Sequence, residues 1–356
     1  MLRSWVWPLF VLAASLLLGA ATVRAAPSQP RIVAIGDLHG DHDAFLAIAK
    51  AAHLIDQKGK WAGGKTVFVQ LGDVVDRGPQ SLLIIKDLMR LQREAARRGG
   101  KVFALVGNHE AMNMTNDLRY VHPGEFAAFA DRNSERRRDM VYQANRAAIE
   151  TAYRQRAPTM TPEAIRAEWM KSMPLGKLEH QTAWSPDGEI GRWVVRNPAV
   201  LKIGDTLFVH GGISAAYASV PIDGMNRRVA QALKAKDESP TAIINDPHGP
   251  LWYRGLITRS GDDETTVAPA TAVTAPVLTI DQEIELVCRS FGVKRIVVGH
   301  TPSLSGIVPE DRGQLWRADS GNSRAYGGTP SYLEIIGDNV VAHRVPRPTG
   351  ASWGRP

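Results

Sequence analysis

Short, nearly continuous apolar runs rich in valine and isoleucine recur along the chain, each running into glycine beside a polar residue. They read RIVAI from Arg31, TVFVQL from Thr66, KVFALV from Lys101, TLFVH from Thr206 and KRIVV from Lys294. Runs of this length without polar alternation predict strands buried on both faces. Apolar residues at helical spacing follow several of them, notably over Asp43 to Leu54 and Ser81 to Arg97. Strand then helix, repeated, predicts an α/β architecture. AVLKIGDTLFV differs, because two strand-like runs joined by Gly204-Asp205 make a β-hairpin pattern. The sheets are therefore expected to be mixed, with helices flanking them.

The rhythm breaks over about residues 113–189, which are rich in arginine and alanine and include MVYQANRAAIETAYRQR and TPEAIRAEWMKSM. Thr161 is placed to cap the second of these, and Pro162 suits a first helical position. A helical insertion covering one end of the core is expected here. RSGDDETTVAPATAVTAP from Arg259 reads as a mobile surface loop. Cys288, the only cysteine, shares helical spacing with Ile284, Val287 and Phe291, which predicts a buried, inert thiol.

At the N terminus, Arg3 precedes the apolar stretch Trp5 to Leu18, and small residues lead to Val23-Arg24-Ala25. That order predicts a secretory signal over residues 1–25, with an uncleaved anchor as the competing reading. Pro8 interrupts the apolar core, which is short for a span of about 20 residues. No later stretch is long and apolar enough to cross a bilayer, so a soluble periplasmic or secreted protein is expected, without stable membrane insertion after cleavage. Residues 26–345 are expected to form one domain, followed by a tail over 346–356. Composition is ordinary for a globular chain at 44% hydrophobic and 22% charged. Losing Arg3 and Arg24 with the signal lowers the formal charge from +7 to +5. The densest basic run, Arg136-Arg137-Arg138, is flanked by Glu135 and Asp139 and reads as a solvated helix face. No nucleic-acid partner is expected.

The strand exits carry the chemistry. The first run enters Gly36-Asp37-Leu38-His39-Gly40, and the second enters Gly72-Asp73-Val74-Val75-Asp76-Arg77-Gly78. The third enters Gly107-Asn108-His109-Glu110; the others deliver His210-Gly211-Gly212 and Gly299-His300-Thr301-Pro302. Any one of these could be an ordinary turn. In α/β sheets, however, sites form outside the carboxyl ends of the strands, where these side chains can converge. Asp, Asn and His are oxygen and imidazole donors suited to Mn, Fe, Zn or similar divalent ions. A two-metal hydrolase needs such a set, because paired ions share a carboxylate and ionise water near neutral pH. No P-loop pattern appears, which argues against a nucleotide-driven kinase or ATPase.

GDLHG, GDVVDRG, GNHE and the later HGG, in that order, resemble the signature motifs of the phosphoprotein phosphatase family of metallophosphoesterases. GNHEAMNMTNDLRYV, GPLWYRG and DSGNSRAYGG are similar to its Shewanella-like bacterial branch, and the resemblance spans roughly Arg31 to Val341. It implies a calcineurin-like metallophosphoesterase fold, with two mixed sheets flanked by helices, and makes residues 26–345 the catalytic domain. It implies that Asp37 and His39 hold a first metal, that Asp73 bridges, and that Asn108, His210 and His300 complete a second. Manganese is the expected metal, with iron or zinc as alternatives. The resemblance further implies that Arg77 grips the substrate phosphate, that His109 protonates the leaving oxygen, and that Asp76 orients His109. Arg254 in LWYRG is the expected second phosphate arginine, by a looser match; Asn108 is also expected to touch substrate.

The pattern differs from eukaryotic members in VVGHTP, where they carry an Arg-Ala-His setting, and in the helical insertion. That puts shared inhibitor and regulatory-subunit behaviour in question, but not the metal role of His300. Asn113, Asp117, Arg119 and Tyr120 follow closely enough to be pocket or supporting candidates, with ordinary loop contacts as the competing reading. His42 is expected at an exposed helix start and His248 in a turn, while Glu110 is expected to support its loop, through the Arg77 region. The implied activity is a phosphomonoesterase acting on phosphorylated protein or peptide, at phosphotyrosine or phosphoserine/threonine, by direct attack of a dimetal-bound hydroxide. Hydrolysis of dinucleoside polyphosphates, a nuclease of the same metal class and a non-catalytic exported metal-binding protein remain as alternatives. A purely structural metal site would need neither Arg77 nor the His109–Asp76 pair.

Overall fold

A computed structural model describes residues 29–259 and 278–349. The expected signal, the Thr- and Ala-rich stretch beyond Arg259 and the end of the expected tail lie outside the described residues. All five apolar runs are strands: β1 (Ile32–Ile35), β2 (Val67–Gln70), β3 (Lys101–Ala104), β5 (Thr206–Val209) and β6 (Arg295–Val298). β4 (Val200–Ile203) pairs antiparallel with β5, the hairpin expected around Gly204-Asp205. Four shorter or later strands complete the set, β7 (Val308–Glu310), β8 (Leu315–Arg317), β9 (Ser331–Ile336) and β10 (Asn339–Arg344).

One sheet runs in the order β10-β9-β1-β2-β3, the other β4-β5-β6-β8-β7. β1, β2 and β3 are parallel, as are β5, β6 and β8, while β9, β10, β4 and β7 run antiparallel to their neighbours. Both sheets are mixed. Alternate residues of the parallel strands serve two cores. Ile32, Ala34, Val67, Val69, Phe208 and Val297 pack together between the sheets. Val33, Ile35, Phe68, Leu207, Val209, Ile296 and Val298 point the other way, into a cluster shared with the helices. Both strand faces are thus dry, which is why the sequence shows unbroken apolar runs rather than alternation.

The flanking helices α1 (His42–Ala51) and α2 (Ser81–Arg97) contribute Phe45, Ile48, Ile84, Ile85 and Leu88 to that cluster. α9 (Ile222–Ala235) and α10 (Ile280–Phe291) contribute Val229, Leu233, Ile284 and Val287. Cys288 on α10 is buried, and burial pushes its thiol up to about 11, as befits an inert cysteine. His42 does open α1, but its Nε2 lies 2.8 Å from Asp87 Oδ2, so it is half-buried and paired rather than exposed.

Between β3 and β4 the chain forms α3 (Asn108–Met114), α4 (Pro123–Phe129), α5 (Ser134–Arg156), α6 (Pro162–Ser172), α7 (Lys177–Trp184) and α8 (Glu189–Arg196). Thr161 caps α6 by accepting from the Ala164 amide, with Pro162 in its first turn, as expected. The helical stretch continues past residue 189 to Arg196, because Trp193 and Val194 of α8 bury against the core. The basic run on α5 is only partly a solvated face. Arg136 is exposed, but Arg137 pairs with Glu179 of α7 and Arg138 donates to the Met173 carbonyl.

Candidate metal centre

The carboxyl ends of the six parallel strands meet, and the side chains they deliver form one buried cluster. Asp37, His39, Asp73, Asn108, His109, His210 and His300 are all at most 5% exposed. His210 Nε2 lies 3.3 Å from Asp73 Oδ2 and 2.9 Å from Asn108 Oδ1. His39 Nε2 lies 3.8 Å from both Asp37 Oδ2 and Asp73 Oδ2. The ligand atoms of Asp73, His210 and His300 fall within 4.8 Å of one another, as do those of His39, Asp73 and His109. Asp73 belongs to both groups, the position a bridging carboxylate needs.

Backbone geometry produces this convergence. His39, Asp73, Asp76, Arg77 and His300 all take left-handed φ values, 42°, 53°, 69°, 65° and 61°. Such conformations cost non-glycine residues of order 1–3 kcal/mol each and persist where the surroundings fix them. The glycines at the strand exits make room for the carboxylates. A Cβ on Gly107 would sit 2.2 Å from Asp73 Oδ1, and one on Gly299 would sit 2.6 Å from Asp37 Oδ1. Glu110 holds the Asp73 loop by accepting from the amides of Asp73, Val74 and Gly107 at 2.8–2.9 Å. It supports its loop as expected, through these amides rather than through Arg77.

The imidazoles are set up as ligands. His39 Nδ1 lies 2.9 Å from the Val75 carbonyl and His210 Nδ1 lies 2.8 Å from the Leu71 carbonyl. A carbonyl only accepts, so each Nδ1 carries a proton and each Nε2 presents its lone pair. In His210 that lone pair faces two oxygens, an arrangement that requires a proton or a cation between them. His300 Nε2 is buried with no hydrogen-bond partner among the described residues. Burial and neighbouring His109 push His39 down to about 3, and burial with His210 holds His300 well below its usual value. Both are neutral donors at physiological pH.

The carboxylates are in surplus. Burial would raise Asp73, but His210, His109 and His39 outweigh it and hold Asp73 well below the usual range. Burial raises Asp37, aided by the charges of Asp319 and Asp73. Asp319, buried beside them at the exit of β8, is pushed up to about 6, chiefly by burial. Three carboxylates, the neutral imidazoles of His39 and His300 and an orphaned ring nitrogen fit divalent cations as the missing charge. Burial opposes a charged His210, but the Asp73 charge outweighs it and raises that imidazole toward the same balance.

The remaining predicted residues surround this cluster. His109 Nδ1 lies 2.6 Å from Asp76 Oδ2, while its Nε2 faces Asp73 Oδ2 at 3.9 Å. Burial opposes the charged form of His109, but Asp73 and Asp76 prevail and raise its pKa. That separates it from the neutral His39 and His300, although distance alone would group it with the ligands. Asn113 Nδ2 donates to Asp76 Oδ1 at 2.9 Å, fixing the carboxylate that holds His109. Arg254 Nη1 donates to the His300 carbonyl at 2.7 Å, which places it beside that imidazole. Arg77 lies against the rings of Tyr120 and Tyr326. Asp117 and Arg119 pair with each other, and Arg119 is exposed rather than turned inward. His248 is in a turn, as expected.

Sequence reasoning did not single out Asp319, Asn322, Ser323 or Tyr326. Asn322 Nδ2 donates to the Asp37 carbonyl and Ser323 Oγ to the His39 carbonyl, so this loop braces the first metal-side turn. The signal available was Asp-Ser-Gly-Asn directly after Leu315-Trp316-Arg317-Ala318, a sixth strand exit of the same kind.

Residues 30–304 match the family model described as calcineurin-like phosphoesterase. Shewanella-like protein phosphatase 2 of Arabidopsis thaliana is 33% identical over 319 residues, covering 87% of this chain and 76% of its own. Shewanella-like protein phosphatase 1 of Plasmodium berghei is 25% identical over 321 residues, covering 88% and 74%. Among solved structures, the cold-active protein-tyrosine phosphatase of a psychrophile Shewanella sp. superposes with a TM-score of 0.61 at 25% identity. It covers 89% of this chain and 81% of that one.

Proposed function

Since the chain belongs to the calcineurin-like phosphoesterase family and is a phosphatase, we propose that it is a dimetal phosphomonoesterase acting on phosphoproteins. Relatives named as protein phosphatases and a neighbour named as a protein-tyrosine phosphatase support that substrate class. The observation that carries the reading is the surplus beyond metal donors. Arg77 and the Asp76–His109 pair sit against the cluster, where a structural metal site would need neither.

Asp37, His39 and Asp73 would hold one divalent ion, and Asp73, Asn108, His210 and His300 the second; manganese is proposed, with iron or zinc as fits for the same donors. When bound, such a pair supplies Lewis acidity toward phosphoryl oxygens and ionises water at neutral pH for direct attack on phosphorus. Arg77 binds the phosphate through its N–H fork, assisted by Arg254 and Asn108. His109 gives its Nε2 proton to the departing alkoxide or phenoxide. Asp76 accepts from Nδ1, fixing the ring and favouring its charged form. Asn113 and Glu110 hold the two loops that carry these groups.

The test strips the purified protein with chelator, reloads it with manganese, iron or zinc, and follows phosphate release from phosphotyrosine and phosphothreonine peptides. Metal-dependent release, abolished in Asp73→Asn, is expected. No release by a protein shown to carry two metals would overturn the reading and bring dinucleoside polyphosphates or a non-catalytic role forward. We further propose export to the periplasm or medium by residues 1–25; a mature N terminus still beginning at Met1 would refute cleavage. Among the described residues no helix is long and apolar enough to cross a membrane.

A further inference from the structure

Arg119, Arg166 and Arg228 each lie over one tyrosine ring, Arg119 over Tyr120 itself at 5.8 Å, whereas Arg77 meets two. Arg324 is anchored by Asp41 and Arg31 by Glu334. The Arg77 guanidinium carbon instead lies 4.7 Å from the centre of the Tyr120 ring and 5.2 Å from that of Tyr326. Its buried Nε has no hydrogen-bond partner among the described residues.

The two rings come from distant segments, one just before α4 and the other between β8 and β9, and each is tied to the site. The Arg77 amide donates to the Tyr120 carbonyl at 2.9 Å, which ties the segment carrying the ring to the loop carrying the guanidinium. The Tyr326 amide donates to Ser323, whose hydroxyl donates to the His39 carbonyl. The Arg324 amide next along donates to Asp41, the cap of α1. Each ring also meets an imidazole, Tyr120 against His109 at 5.2 Å and Tyr326 against His39 at 5.3 Å. Tyr120 is 39% exposed, so it does not serve the core.

We infer that Tyr120 and Tyr326 are positioning residues of the phosphate clamp, their rings holding the Arg77 guanidinium in place without neutralising it. The inference rests on the reading of Arg77 as that clamp. A carboxylate partner would fix an arginine equally well but would compete with the phosphate for its N–H groups. Aromatic faces attract the cation through their quadrupole and leave every N–H edge free. They also restrict a long side chain whose rotamer freedom would otherwise be lost on binding. The ring, rather than the hydroxyl, does the holding.

The test titrates inorganic phosphate into the manganese-loaded full chain by calorimetry. It compares the parent with Tyr120→Leu, Tyr120→Phe, Tyr326→Leu and Tyr326→Phe, each also made in an Arg77→Ala background. Each Leu variant is expected to weaken phosphate binding about three- to thirtyfold, the range of a cation–π contact. Each Phe variant is expected to bind like the parent, and the Leu effect is expected to vanish once Arg77 is gone. Parent-like binding by both Leu variants, or equal weakening with and without Arg77, would overturn the inference. If Tyr326→Leu fails to fold, the exposed Tyr120 decides alone. Phosphate binding unchanged in Arg77→Ala would overturn the clamp itself. A parent that releases no phosphate from peptides yet shows the full Tyr–Arg coupling would sink the proposed activity and leave the positioning role standing.

Discussion

A single hydrogen bond distinguishes His109 from the imidazoles around it. His39 and His210 give their Nδ1 protons to backbone carbonyls, whereas His109 faces the Asp76 carboxylate at 2.6 Å. Asp73 outweighs burial to raise His210 as well, but His210 Nε2 faces Asp73 and Asn108. With its carboxylate on Nδ1, His109 is suited to release a proton from Nε2. His109→Gln is therefore expected to lower kcat by about 10²–10⁴ on a phosphothreonine peptide, the usual contribution of a general acid. On p-nitrophenyl phosphate, whose leaving group needs no proton, the loss should be far smaller. Equal losses on both substrates, with metal content intact, would show that His109 acts otherwise. These residues were legible because GDVVDRG and GNHE keep Asp76 and His109 in short motifs at strand ends. The partners of Glu110 were not, because a carboxylate accepting three backbone amides leaves no trace in side-chain pattern. Tyr326 was missed for a related reason: a ring over an arginine requires knowledge of which loops meet.

At the scale of elements, the five long apolar strands, the hairpin and the capped α6 could be read from run length, turn residues and cap chemistry. β8 could not. It has three residues, Leu315–Arg317, too few to show a pattern, yet it lies parallel to β6 and delivers Asp319 to the cluster. The sequence thus yielded five strand exits where the fold brings six together. Asp319 stands beside Asp37 and shares its buried setting, so Asp319→Asn is expected to reduce metal affinity about 10- to 100-fold, as loss of an orienting partner does. Retained manganese after dialysis, measured by mass spectrometry, would report it; unchanged retention would make Asp319 a bystander. The glycine exits make a sharper demand. Gly107 joins β3 to α3, and a Cβ there would meet Asp73 Oδ1 at 2.2 Å and Glu110 Oε2 at 2.8 Å. Gly107→Ala should therefore displace the bridging carboxylate and lower both metal content and melting temperature. Gly107 itself has φ −97°, which any residue adopts, so the loss would come from these contacts and not from backbone strain.

Two properties of the whole molecule follow from what it buries. His180 on α7 is enclosed edge-on by Phe126 and Phe129, with Trp184 beside it, and neither ring nitrogen has a hydrogen-bond partner among the described residues. Burial, with the charge of Lys177, pushes its pKa down to about 4. Between pH 4 and 6.5 the unfolded chain therefore binds a proton that the folded chain refuses. Stability is unaffected by this group above pH 6.5 and falls as the pH drops toward 4, by up to about 3 kcal/mol. His180→Leu should flatten that part of the profile, and an unchanged acid slope in denaturant titrations at fixed metal concentration would refute the assignment. The metal cluster acts in the opposite sense. Asp37, Asp73 and Asp319 are brought together in a dry interior where metal ions or protons must balance them, so ion binding and folding are coupled. Metal at about a thousand times its dissociation constant would add about 4 kcal/mol to stability. Chelation is then expected to lower the melting temperature by about 6 °C, at roughly 1.5 °C per kcal/mol for a domain longer than about 250 residues, and manganese should restore it. Asp73→Asn, which removes the shared carboxylate, should melt at the same temperature with or without metal. A parent protein equally indifferent to chelator would mean that protons already balance the three carboxylates, and the argument for two ions from the buried charge would fail.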